Sequence, residues 1–244
     1  MGITRGSVWH NMRLNMKKIG LVGGIGPAST VDYYMGIIDG CRKKSGSPNY
    51  PEILIYSIDM FEMLSHIEGK HWDKASVLLS TAVNNLASAG ADFAAIASNT
   101  PHLVFDEISR LSTIPLISIV EETCNFVLEK QYQRVLTIGT LFTMRNGLYS
   151  NPLVAQGIIS LLPSETEQQE IYSLFFPNLE NGIVIQDDKI KMQKLVDSIV
   201  RKQKADSVIL GCTELPMMLK QGDLNVPVID TTQVHINAIV RNMN

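Results

Sequence analysis

Two stretches decide the fold: Ala91–Thr100, which reads Ala-Asp-Phe-Ala-Ala-Ile-Ala-Ser-Asn-Thr, and Ala205–Glu214, which reads Ala-Asp-Ser-Val-Ile-Leu-Gly-Cys-Thr-Glu. Each begins with Ala-Asp, continues as a short apolar run and ends in a small residue and a polar triplet. Equivalent residues lie 114 positions apart, as Ser98 and Cys212 show. A short apolar run bounded by polar residues is typical of a buried strand. The pair therefore predicts an internal duplication.

Two further landmarks keep nearly the same spacing. Gly24 follows the first apolar run of the chain as Gly139 follows the run Val135–Ile138, and the segment Ile114–Ile117 matches Val226–Ile229. Landmarks that recur in the same order indicate two similar halves, each of about 100 residues, which is a usual size for a domain.

Short apolar runs alternate with amphipathic stretches along the chain. The predicted strands are Ile19–Val22, Glu52–Ser57, Phe93–Ala97, Leu116–Ser118, Val135–Ile138, Ser207–Leu210 and Val228–Ile229. The predicted helices are Ala28–Ser45, Lys74–Ser88, Pro101–Arg110, Ile119–Glu129, Met144–Leu153, Ser164–Phe176, Lys189–Gln203 and Thr232–Met243. Apolar strands between helices are typical of a parallel sheet covered on both faces.

We therefore predict an α/β fold of two similar parallel-sheet domains, related by pseudo-twofold symmetry, with a cleft between them. The first domain should comprise residues 16–117 and 230–244, and the second residues 118–229. Residues 1–15 show no periodicity, and Met16 leads straight into the first strand. We interpret those residues as an extension or tag.

Composition excludes several classes of protein. The chain has 244 residues, 45% of them hydrophobic and 18% charged, which is typical of a globular protein. The net charge is −3 and no block of basic residues occurs, so we expect neither nucleic acid nor an anionic membrane as a partner. No apolar run reaches the roughly 18 residues that a membrane span needs.

The three cysteines suggest a reduced, cytoplasmic protein. They lack metal-ligand spacing, their odd number argues against a disulfide framework, and no secretory segment precedes the first strand. We predict no bound metal. Cys41 and Cys124 fall within helical patterns and should belong to the core. Cys212 instead lies where a predicted strand meets a helix, a place where a thiolate can act as a base.

Ligands of parallel sheets bind beyond the carboxyl ends of the strands. Ser98 and Cys212 both follow such ends, so two facing halves would bring them to a shared cleft from opposite sides. Two groups that flank one carbon are what the inversion of a stereocentre requires.

Further candidates for substrate contact follow predicted strands or begin predicted helices. Each has a structural alternative: a tight turn for a glycine, a helix cap for a hydroxyl or amide, and a satisfied buried side chain for a histidine. The stretch Asp59–Asp73 could be a lid or a solvated face. The candidates are Gly24, Gly26, Asn99, Thr100, Thr140, Thr143, Thr213, Glu214 and His235.

Together these segments resemble the aspartate/glutamate racemase superfamily, and its aspartate-racemase-like branch in particular. The resemblance implies a homodimer that racemises a small amino-acid substrate without pyridoxal phosphate, metal or other cofactor. It also implies that Cys212 takes and returns the Cα proton. Glutamate racemases carry a histidine where Glu214 stands, which favours the aspartate-like branch. The matching residues are Gly23–Thr30 with Tyr33 and Tyr34, Ser98–His102, Gly139, Thr140, Thr143 and Tyr149, Gly211–Leu215, and Asp230–Thr232 with His235.

One catalytic position departs from the family pattern, because Ser98 stands where relatives usually carry the other cysteine. A hydroxyl is a much weaker acid than a thiol. The interpretations are an asymmetric racemase or epimerase, a substituted residue that traps substrate, a single-cysteine decarboxylase or isomerase on the same scaffold, and a catalytically silent amino-acid-binding protein.

The expected side-chain loop also departs from the aspartate-specific pattern. Asp59–Leu64 contains no arginine, and no basic residue occurs at Leu179–Gly182. We therefore predict broader or different specificity, for neutral or basic side chains.

Overall fold

The computed structural model describes residues 16–46 and 50–243, whose strands form two four-stranded parallel sheets. The strand order is β2-β1-β3-β4 in the first half and β6-β5-β7-β8 in the second. The predicted α/β fold with two similar sheets is confirmed, whereas residues 1–15 lie outside the described residues. The strands are β1 (Ile19–Gly23), β2 (Ile53–Ser57), β3 (Phe93–Ile96), β4 (Leu116–Ile117), β5 (Arg134–Gly139), β6 (Ile159–Leu161), β7 (Ser207–Gly211) and β8 (Val228–Asp230).

The helices follow the predicted order with three differences. The predicted helix Pro101–Arg110 begins as a 3-10 turn, Thr100–Val104, and the predicted helix Met144–Leu153 is broken near Gly147, whose φ is 69°. Helix α2 was not predicted. The helices are α1 (Pro27–Ser45), α2 (Met60–Glu68), α3 (Trp72–Ser88), α4 (Phe105–Leu111), α5 (Ile119–Glu129), α6 (Leu141–Arg145), α7 (Ser150–Ala155), α8 (Glu165–Phe175), α9 (Gln186–Gln203) and α10 (Thr231–Asn242).

The duplicated Ala-Asp pairs make the same hydrogen bonds in both halves. The backbone N–H of Asp92 donates to the carbonyl oxygen of Lys18, and the N–H of Asp206 donates to that of Arg134, both at 2.9 Å. Each carboxylate also accepts from the N–H of the same strand residue, at 2.6 Å in the first half and 2.9 Å in the second. Each aspartate thus joins the inner strand of its sheet to the start of the neighbouring strand.

A second repeated contact lies at the opposite ends of these strands. The hydroxyl of Ser29 donates to the carbonyl oxygen of Ala97 at 3.2 Å, and the hydroxyl of Thr143 donates to that of Gly211 at 3.0 Å. In each half, a hydroxyl from the helix after the first strand bonds to the backbone at the end of the neighbouring inner strand, β3 or β7. The duplication therefore includes the carboxyl ends of the inner strands.

Helix α10 returns to the first sheet at the end of the chain. Ile236 and Ile239 share a core cluster with Ile19 and Tyr33 of the first half. The side of α10 also contacts α5. We therefore propose that residues 230–244 belong with residues 16–117, and residues 118–229 form the second domain.

Two cysteines are buried away from the cleft. Cys41 lies in α1 and Cys124 in α5, and burial raises the pKa of both thiols, to about 12 for Cys124. Their predicted place in the core is confirmed. Across the described residues, no helix is both long and apolar enough to cross a membrane.

Candidate active site

A cavity of about 80 Å³ lies where the inner strands of both sheets end. The loops after β1 and β3 wall it from the first half, the loops after β5 and β7 from the second, and α2 closes one side. The predicted residues Gly26, Ser98, Asn99, Thr100, Thr140, Cys212, Thr213 and Glu214 all line it, together with Ile25, Met60, Leu64 and Gly211. The duplicated triplets thus face the same space.

Cys212 and Glu214 form a hydrogen-bonded pair in the cavity wall. The thiol of Cys212 donates to Oε2 of Glu214 at 3.0 Å, and the hydroxyl of Thr213 donates to the same oxygen at 2.9 Å. All three side chains are buried. Hydrogen bonds to an ionised oxygen are stronger than neutral ones, so the contacts fix the carboxylate beside the sulfur. This arrangement gives the thiol proton an acceptor within the site.

His102 holds the backbone of Ser98 from behind. Its Nε2 accepts from the backbone N–H of Ile119 at 3.2 Å, so Nδ1 carries the proton and donates to the carbonyl oxygen of Ser98 at 3.0 Å. Burial lowers the pKa of His102 to about 3, which keeps the ring neutral. Since Ile119 begins α5, this histidine ties the Ser98 turn to the start of the next helix.

The side-chain amide of Asn99 is hydrogen-bonded at its oxygen but not at its nitrogen within the described residues. The hydroxyl of Tyr149, whose pKa burial raises, donates to Oδ1 of Asn99. Nδ2 of Asn99 is buried and has no hydrogen-bond partner within the described part of the chain. Such orphaned buried donors are rare in folded proteins. Because Asn99 lines the cavity, its amide is a donor set for a bound acceptor such as a carboxylate.

Comparison with known proteins identifies the family. A family model described as Asp/Glu/hydantoin racemase matches residues 22–239. The chain belongs to this family. A broad-specificity amino-acid racemase, RacX of Bacillus subtilis, is 29% identical over 218 residues, which cover 88% of this chain and 92% of that protein.

Two solved structures extend the likeness to the fold of both halves. A putative Asp/Glu racemase from Yersinia pestis superposes with a TM-score of 0.85 at 29% identity, covering 93% of this chain and 98% of the other. An aspartate racemase homologue from Pyrococcus horikoshii gives a TM-score of 0.82 at 36% identity, with the same coverage. This member of the racemase family therefore shares its whole two-sheet architecture with both.

Two predicted contact residues lie behind the cavity wall instead of in it. Gly24 has a φ of 88°, and a Cβ there would lie 2.4 Å from the carbonyl oxygen of Ile58, so it makes a tight turn. Thr143 is buried and donates to Gly211, as described above. Neither residue lines the cavity, and the contacts of both fit the structural alternatives of a tight turn and a buried hydroxyl.

His235 is likewise a structural residue of this racemase-family chain. It is fully buried; Nε2 donates to the carbonyl oxygen of Ile117 at 2.9 Å, and Nδ1 accepts from the hydroxyl of Tyr33 at 2.8 Å. Burial lowers its pKa to about 4. With both nitrogens occupied, the ring holds α10 against the first sheet, and His235 is not among the residues that line the cavity.

Sequence reasoning missed the wall that α2 supplies. Met63 and Ile67 are fully buried and dock the helix on the core, whereas Met60 and Leu64 face the cavity. Asp59 caps the helix by accepting from the N–H of Phe61 at 2.8 Å. The other face of the stretch is solvated, since Glu62, Glu68, Lys70 and His71 are exposed. The four-residue spacing of its apolar side chains was the signal of a docked helix.

Side chains for metal binding are not clustered in this structure. Over residues 16–46 and 50–243, no group of three or more His, Cys, Asp or Glu side chains is placed to hold a metal ion.

Proposed function

We propose that the protein is an amino-acid racemase or epimerase that works without a cofactor, with Cys212 as the main acid–base group and Ser98 opposite it. One observation carries this proposal: equivalent positions of the two halves line one buried cavity, and one of them holds a thiol bonded to a carboxylate. The relatedness to RacX and to an aspartate racemase homologue supports it.

The cavity offers separate partners for the ends of an amino acid. The free amide nitrogen of Asn99 and the hydroxyl of Thr100 can donate to the α-carboxylate, while Glu214 attracts the α-ammonium. With both ends held, the α-carbon lies between the two halves. Positioning of this kind is a major part of catalysis by a general base.

Proton transfer begins at Cys212. Its proton passes to Oε2 of Glu214, and the thiolate then takes the Cα proton from the substrate, which leaves a carbanion stabilised by the bound carboxylate. Return of the proton from Cys212 restores the starting enantiomer. Inversion requires that the carbanion receive a proton on the opposite face, from the Ser98 hydroxyl or from a water that Ser98 holds. The resulting alkoxide or hydroxide then regains a proton, through solvent, from the protonated Glu214. Because a hydroxyl is a weak acid, inversion should be slower than exchange.

Hydrogen exchange in D₂O tests the proposal. Each enantiomer of a panel of amino acids is incubated with the protein, Cα–H loss is followed by NMR, and inversion by chiral chromatography. We expect fast exchange from the enantiomer whose Cα–H faces Cys212 and slow inversion of either. Absence of exchange from both enantiomers of every amino acid would contradict the proposal.

Variants assign the roles. Cys212→Ala should abolish exchange, whereas Cys124→Ala, which removes another buried thiol outside the cavity, should retain it. Ser98→Cys should raise inversion relative to exchange. Exchange that persists in Cys212→Ala would exclude that thiol as the base, and unchanged inversion in Ser98→Cys would exclude Ser98 from the opposite face.

We also propose that the enzyme is a cytoplasmic homodimer, as the family resemblance implies. Val31, Tyr34 and Met35 expose apolar side chains on α1, with exposed fractions of 60%, 42% and 49%. Exposed apolar patches of this kind often mark interfaces. Light scattering coupled to size exclusion should give twice the mass of the chain, and a monomer would contradict this part of the proposal.

A further inference from the structure

A second, larger chamber of about 750 Å³ adjoins the catalytic cavity. The two spaces share the side chains of Met60, Leu64, Thr100 and Thr140, which stand at the passage between them. The outer chamber is also lined by Phe61, Ser65, Glu68, Leu141, Phe142, Arg145, Asn146, Tyr172 and Phe176. Both halves of the protein contribute to it.

The inner cavity is much smaller than the outer chamber, at about 80 Å³ against about 750 Å³. The reacting end of an amino acid therefore suits the inner cavity, and a longer side chain would extend through the passage into the outer chamber.

The wall of the outer chamber is mainly apolar. Phe61 and Leu64 of α2 and Phe142 of α6 line the outer chamber. Tyr172 stacks on Phe176 in the same wall, with ring centroids 4.9 Å apart. Aromatic rings of this kind stabilise apolar and aromatic ligands by burial and by ring contact.

The outer chamber carries one charged side chain of each sign, Glu68 and Arg145, so its lining has no net charge that favours an acidic or a basic ligand. Both side chains are exposed to solvent, which screens their charges. The one charged side chain among the described residues of the inner lining is Glu214, which repels a second carboxylate. The passage itself presents two apolar side chains and two hydroxyls.

We propose that the outer chamber is the side-chain subsite of this enzyme, and that its substrates are amino acids with long uncharged side chains, apolar or aromatic. The inference rests on the proposed function and adds the substrate class to it. Leu64 and Met60 are the residues of α2 that select this class, because both lie at the passage shared by the two spaces.

The test compares kcat/KM for Cα–H exchange among alanine, leucine, phenylalanine, aspartate and lysine. Leucine or phenylalanine should exceed alanine at least about tenfold, since even one methylene in an apolar pocket is worth roughly 10-fold or more. Leu64→Lys should lower the ratio of kcat/KM for phenylalanine to kcat/KM for aspartate at least about tenfold, because it removes apolar contact and adds a positive charge that attracts the aspartate side chain. Val154→Lys, which adds the same charge at an exposed valine of α7 outside both spaces, should leave that ratio unchanged.

The outcomes separate this proposal from the one on which it rests. Exchange that is as fast with alanine, or faster with aspartate or lysine, overturns the subsite and leaves the racemase standing. If no amino acid exchanges, the racemase proposal fails, and calorimetry with Cys212→Ala decides the subsite alone. Tighter binding of phenylalanine than of alanine supports the subsite, whereas equal or undetectable binding of both overturns it.

Discussion

Lowering the pH from 7 to 5 should destabilise the fold through two buried histidines. His102 and His235 have pKa values lowered by burial from 6.5 to about 3 and about 4. Below pH 6.5 the unfolded chain therefore takes up two protons that the folded chain excludes. Stability contributed by the neutral rings is fully present above pH 6.5 and is lost as the pH falls toward these lowered values.

The expected loss of unfolding free energy follows from the distance between pH 5 and the histidine pKa of the unfolded chain. At pH 5 each histidine is 1.5 units below its unfolded pKa of 6.5, so it should cost about 2 kcal/mol at ~1.36 kcal/mol per unit. The pair should cost about 4 kcal/mol, which is a large share of a typical unfolding free energy of about 5–15 kcal/mol.

Urea denaturation at pH 7, 6 and 5 measures this loss. His102→Asn and His235→Asn should each lower the stability at pH 7 but lose about 2 kcal/mol less than the unaltered protein between pH 7 and pH 5. His71→Asn, at an exposed histidine, should keep the full pH dependence. The reasoning is refuted if the unaltered protein is equally stable at pH 7 and pH 5, or if both buried-histidine variants retain the full loss.

Three further perturbations test the turn, the anchor and the proton acceptor. Gly24→Ala should lower the unfolding free energy by at least about 2 kcal/mol more than Gly90→Ala in urea titrations, because both glycines have a positive φ but only Gly24 is crowded by backbone; equal losses would contradict this. Tyr149→Phe leaves Oδ1 of Asn99 without its donor, so it should cost about 1–3 kcal/mol and raise KM for exchange; an unchanged KM would exclude the anchoring role. Glu214→Gln should lower kcat for Cα–H exchange by roughly 10²–10⁴-fold and should weaken substrate binding in calorimetry, because glutamine neither accepts the thiol proton nor attracts the α-ammonium; an unchanged kcat would remove Glu214 as the proton acceptor.

Patterns that repeat along the chain predicted most of the architecture, because local apolar runs and their spacing reflect a sheet buried on both faces. The 114-residue offset predicted that Ser98 and Cys212 share a cleft, and both residues line one cavity. Features decided by distant packing were harder to predict. Strand β6 is only three residues long and half exposed, so its apolar signal is weak. His235 has a sequence context that suits a site, and only the surrounding Tyr33 and Ile117 show it to be structural.

For the side-chain subsite, the sequence showed only that the basic residues of aspartate-specific relatives are absent. Sequence reasoning noted that the loop Asp59–Leu64 has no arginine, and from this inferred neutral or basic substrates. The outer chamber that replaces such a contact is assembled from α2, α6 and the end of α8, which are far apart in the chain. No local pattern indicates that Phe61 and Phe176 line the same chamber.

The repeated hydroxyl contacts, Ser29 to Ala97 and Thr143 to Gly211, mean that either half presents its triplet from the same kind of platform. Which enantiomer reacts faster then depends on which half carries the thiol while the groups that bind the substrate stay in place. Exchanging Ser98 and Cys212 alone, with Asn99 and Glu214 unchanged, should favour the opposite enantiomer while the fold stays the same. The preference of this enzyme for one enantiomer would then be set by which half of the duplicated chain carries the catalytic thiol.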